Sequence, residues 1–183
     1  IEPRVEFRYQ IPAVGHPDRP LFDVLGEVTA GLLSEALGSA GIPGSVNVNT
    51  RIVHTARFGV PGTINFEVVV GDEGQLEAAE AVLDATIESL MAGPDQDRVA
   101  RAQKVLRTAW HRTARDPNAL AFEIGHFQTM DQWQTLQEFL DARDAASPED
   151  IARIARLYFV PDNRSVGVAR SRTSSRAISE DGS

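Results

Sequence analysis

Cysteine is absent from the sequence. Disulfides and thiolate metal sites are thereby excluded, although the absence assigns no compartment, since exported proteins also do without disulfides. An excess of positive charge is lacking too. Lysine and arginine total 18 against 26 aspartates and glutamates, a formal net charge of −8. Nucleic acid calls for a clustered basic face, so this balance argues against it as a partner. The strongest apolar stretch, residues 68–70, falls far short of the ~18 residues of a membrane span, and no span is expected. The first residue is Ile1 rather than Met, and no basic-then-apolar leader precedes the first strand-like pattern. A processed or excised chain is expected, with its targeting signal elsewhere and its localisation unknown. Internal repeats are also missing.

What is present can build a core. The 183 residues are 42% apolar, enough for one domain or at most two small ones. Val5, Phe7, Tyr9 and Ile11 alternate with Glu6, Arg8 and Gln10, the period of a half-buried strand. Pro12 ends it. His16-Pro17-Asp18-Arg19-Pro20 is expected to start a helix, because proline and aspartate suit a first turn. Leu21, Leu25, Val28, Leu32 and Ala36 follow at helical spacing, and Gly38 and Gly41 are read as its stop. Two further amphipathic strands are expected, one from Val46 and Val48 running weakly to Val53, the other through Ile64, Phe66, Val68 and Val70.

From Gln75 the period becomes helical. Leu76, Ala79, Leu83, Ile87 and Leu90 form one stripe; Val99, Ala102, Leu106 and Trp110 form the next. Helices are also expected over residues 118–130 and 132–142. Ser147-Pro148-Glu149-Asp150 is a start signal made of a capping serine, an N1 proline and first-turn carboxylates. Val166 and Val168 suggest a last strand. One-sided strands need a cover, so the reading is an α+β domain over residues 1–170: an antiparallel sheet with a layer of helices on one face. The polar segment 171–183 reads as linker or disorder.

A search for chemistry yields no self-contained site. The four histidines, His16, His54, His111 and His126, lie too far apart for a same-face zinc pair, and neither H-E-x-x-H nor H-x-x-E-H occurs. Glu123 and His126 match half of a di-iron motif whose second copy is missing, so a surface or capping role is expected. His16 reads as a turn residue and His54 as a surface residue. Gly38-Ser39-Ala40-Gly41 is not a nucleophile elbow, and glycines 38, 41 and 44 match no phosphate loop. Asp141, Asp144, Glu149 and Asp150 lack EF-hand spacing and read as a solvated helix junction. Trp110 and Trp133 are read as core or interface residues on helical stripes. No catalytic, cofactor-binding or metal-binding residue is assigned.

The segment SPEDIARIARLYFVPDNRSVGV, residues 147–168, closely resembles the closing segment of insulinase/pitrilysin-family zinc metallopeptidases. There a helix opened by Thr-Pro-Glu-Asp precedes a Pro-Asp-Asn-Arg-Thr-Val-Gly strand. Upstream, IPAVGHPDRPLFDVLGEVTAGLLSEAL resembles the family's His-Pro-Asp opening, and PGTINFEVVVGD its Pro-Gly strand. The resemblance implies the metallopeptidase or mitochondrial-processing-peptidase-like domain. It further implies a parent of repeated α+β domains, assembled as halves around a chamber that receives a peptide. Zinc is expected in the parent's preceding domain and none in this chain, which should be inactive alone. Expected partners are other domains of the same protein or a partner subunit. An alternative is an inactive relative that acts as an assembly or binding subunit.

A later domain of the family often supplies an arginine and a tyrosine to substrate. Ungapped placement puts Leu37 and Gly44 at those positions, and Arg51 and Arg57 are too far along to replace them. The resemblance therefore implies the companion domain of a zinc-bearing half, with a hinge beginning near Ser171. A domain so separated should expose more apolar surface than a complete monomer does.

Overall fold

The alternating segments become one sheet in a computed structural model that describes residues 2–51, 61–130 and 133–170. Strands β1 (Arg4–Ile11), β2 (Gly44–Arg51), β3 (Gly62–Val70) and β4 (Arg164–Ala169) pair antiparallel in the order β2-β3-β1-β4. Six helices complete the fold: α1 (Leu21–Ser39), α2 (Leu76–Ala92), α3 (Gln96–Arg115), α4 (Pro117–Met130), α5 (Thr135–Asp144) and α6 (Pro148–Tyr158). This is the expected α+β arrangement. His54, Arg57, Val53 and the segment 171–183 lie outside the described residues.

The period of two decides which face is covered. Val5, Phe7, Tyr9 and Ile11 are essentially buried, as are their neighbours Ile64, Phe66 and Val68 on β3. α1, α2 and α6 pack over this face, where Tyr9, Phe22, Phe66 and Phe159 form a cluster of tilted and edge-to-face rings. The opposite face is a polar ladder: Arg8 donates to Asn65, and Asn65 in turn donates to Asn49.

Two boundaries differ from expectation. Helix α1 begins at Leu21, not within residues 16–20, because that stretch is spent in turns closed by His16 N–H to Ala13 O and Arg19 N–H to His16 O. Gly38 stays inside the helix; Gly41, at φ +65°, is the residue that lets the chain leave it.

The resemblance segments act as clamps. Asp18 accepts from Arg153 (2.8 Å) and from the Tyr158 hydroxyl (3.2 Å), tying the entry of α1 to α6. His16 Nδ1 accepts from the Asp18 N–H, so His16 is the expected turn residue. Ser147 and Asp150 form the capping box that opens α6. Past its end, the Asn163 amide donates to Tyr158 O (2.7 Å) and Gln10 O (2.9 Å), joining α6 to β1. Arg164 then lies over the Phe7 ring and donates to Asp84 on α2.

The hydrogen bond from Arg153 holds the Asp18 carboxyl below its ordinary 3.8, against an opposing burial effect. Asp18→Asn should cost about 1–3 kcal/mol in urea unfolding at neutral pH, since it removes the charge from a largely buried hub. The Asp18 contribution is complete well above pH 3.8. It is lost as the pH falls past that value through the lower folded-state pKa. The gap between variant and parent should therefore narrow only in acid; a gap that is constant down to pH 2 would contradict the assignment.

Candidate functional site

The helical layer has a second, smaller core. Phe127, Leu136 and Leu140 bury against one another, with Trp110 and Phe139 packed on them. These residues come from α3, α4 and α5, and a cleft of about 360 Å3 opens between the three helices and the start of α1. Gln103 on α3 fixes one wall. Its amide donates to the carbonyls of Asp144 and Ala146 at the end of α5, giving orphan helix-end acceptors a partner.

The inner end of the cleft is charged. Arg19, only 3% exposed, lies 3.3 Å from Asp23, and Arg143, 6% exposed, lines the same space. Arg143 Nε has Asp144 Oδ1 as an ion-pair neighbour at 3.6 Å, yet neither atom makes a hydrogen bond among the described residues. Asp144 is shared, since Arg107 donates to its other oxygen at 3.0 Å. Asp23 lines the cleft and keeps 26% of its side chain exposed. Burial pushes its carboxyl above the ordinary 3.8, against the pull of Arg19 and Arg143. At the mouth stand Glu123 and His126, one helical turn apart, with the His126 ring stacked on the exposed Phe122. A second hollow shares the Phe127 and Phe139 wall and is bordered by His16 and Pro17.

The structure brings Glu123, His126 and Trp110 to one site, and leaves the other singled-out residues apart. His111 is exposed on α3. Asp141, Asp144 and Asp150 are used in helix-end pairs rather than in one cluster. Trp133 is not on a helical stripe; it sits 52% exposed in the turn before α5. Among the described residues, no group of three or more His, Cys, Asp or Glu is placed to hold a metal ion. No described helix is long and apolar enough to cross a membrane. Leu37 is in the core, and a Cβ at Gly44 would collide with the Val69 carbonyl oxygen, so neither position can present a side chain to substrate. The buried Arg19 and Arg143 and the half-buried Asp23 were missed from sequence; the spacing of Arg19 and Asp23 by four was the one signal available.

No protein-family profile and no curated protein matches the chain. Solved structures do. The inactive peptidase domain of a proposed zinc protease from Bordetella parapertussis is 26% identical. The match covers 97% of this chain and 95% of that one, with a TM-score of 0.84. A proposed zinc protease from Bordetella pertussis Tohama I is also 26% identical, over 92% and 94% of the two chains, with a TM-score of 0.80. A peptidase M16 inactive domain from Pseudomonas fluorescens shares the fold at 14% identity and a TM-score of 0.65; 90% of this chain matches 40% of that longer one.

Because its ionisation is opposed by burial, Asp23 should titrate with a midpoint above 3.8 when followed by carboxyl carbon-13 NMR. Its ionisation then costs stability as the pH rises from 3.8 to that midpoint. A midpoint at or below 3.8 would mean that the pull of Arg19 and Arg143 matches or outweighs burial at this carboxyl.

Proposed function

We propose that this chain is an M16-family non-catalytic domain, the structural companion of a zinc-bearing peptidase domain, against which it packs to enclose a peptide. The observation that carries this reading is its likeness, at 26% identity and over nearly the full length of both chains, to a domain described as the inactive one of a zinc protease. The sequence agrees, since it has no H-x-x-E-H in which histidines would bind zinc and a glutamate would activate water.

The sheet offers a place for the companion. In the β1–β4 register Val168 stands opposite Val5 and Val166 opposite Phe7, so both point to the helical side. Val5 and Phe7 are fully buried, yet Val166 and Val168 are each 45% exposed. Helices α2 and α6, which lie over β1, leave the edge strand β4 half bare on its apolar face. A neighbouring domain seated along β4 would bury this strip, at a gain of roughly 25 cal/mol per Å2. Zinc would belong to that neighbour, and the peptide would bind between the two.

The isolated chain should take up no stoichiometric zinc and should cleave no peptide. Cleavage should appear only when a protein carrying H-x-x-E-H from the same source is added, and it should vanish with a chelator. Zinc bound by this chain alone at ~1 µM or tighter, or peptide cleavage without the second protein, would overturn the proposal.

A further inference from the structure

Two guanidiniums, Arg19 and Arg143, meet one carboxylate, Asp23, at the inner end of the α3–α5 cleft, and Glu123 is the other carboxylate of its lining. Asp144, 3.6 Å from Arg143 Nε, is also held by the half-exposed Arg107, and neither Asp144 nor Arg107 lines the cleft. Arg19 and Arg143 are more than nine-tenths buried and line the cleft, and among the described residues Arg143 Nε makes no hydrogen bond, only the ion-pair approach to Asp144. A buried guanidinium is costly unless its donors are taken, and a planar carboxylate is the partner whose geometry suits it best. The walls are of the opposite kind: Trp110, Phe127, Phe139 and Leu140 give the cleft an apolar and largely aromatic lining.

We propose that this cleft binds a small ligand carrying a carboxylate on an apolar or aromatic body, with the carboxylate against Arg143 and Arg19 and the body between Trp110, Phe127 and Phe139. Glu123 at the mouth sets the polarity. Its carboxylate disfavours an anionic group held at the rim, so the ligand's charge lies inward, and it can accept an N–H from a ligand that has one. The volume of about 360 Å3 admits one aromatic amino-acid residue or a short acyl chain, not a folded partner. The same chemistry is carried by the C-terminal residue of an apolar peptide and by a free organic acid. This inference does not rest on the companion-domain reading, and neither zinc nor a second protein enters its test.

The test is isothermal titration calorimetry of the unsubstituted chain with N-acetyl-phenylalanine, its primary amide and octanoate, alongside NMR of the Trp110 indole. The expected result is one-to-one binding of the acid, a shift of the Trp110 signal, and binding of the amide weaker by at least about tenfold. Arg143→Gln should lose a similar factor for the acid and little for the amide. If that variant fails to fold, the acid–amide comparison in the unsubstituted chain still decides. A preference for N-acetyl-phenylalanine over octanoate assigns the ligand to peptide C-termini; the reverse assigns it to free acids. Equal binding of acid and amide, or no shift of Trp110 with any of the three, would overturn the proposal.

Discussion

Every strand here has one apolar face, and water must be kept off it. That requirement selects the helices over the sheet, and it also exposes where they fall short. β1 and β3 are sealed by the helical layer, with the Phe159 ring reaching down to Tyr9 and Phe66 and Phe22 of α1 packing on Phe159. β4 carries the same inward valines in register with β1 but has little above it. A strand edge with an apolar, half-exposed face is a liability unless something covers it. The proposed companion domain follows from that mismatch between the width of the sheet and the width of its roof.

The segments most like the peptidase family turn out to be structural. Asp18, Ser147, Asp150, Asn163 and Arg164 spend their polar groups on joining α1, α2, α6 and β1. Their similarity therefore speaks for the fold of the family and not for its chemistry. The buried charges face another way, into a cleft among α3, α4 and α5. The two features occupy different parts of the helical layer, so the proposed ligand site does not depend on the segments that join the helices to the sheet.

The sheet was legible in the sequence because period-two alternation and burial coincide from Val5 to Ile11 and from Ile64 to Val70. The cap of α6 was legible because its capping box is local. The start of α1 was misread: a proline-rich turn and a first helical turn look alike until the hydrogen bonds of residues 13–19 are known. The cleft was not legible for a different reason. Arg19 and Arg143 have the composition of a solvated surface, and it is tertiary packing, with α5 lying against α1, that removes them from water. Burial of a charge is a tertiary property, and no short-range pattern announces it.

Hydrogen–deuterium exchange of the chain, alone and mixed with a protein that carries H-x-x-E-H from the same source, tests the central claim most directly. Amides of β4 should be the ones slowed on mixing, because its bare apolar face is where the companion sits. Failure of the two proteins to associate, or a complex whose protection leaves β4 unchanged, would contradict the account.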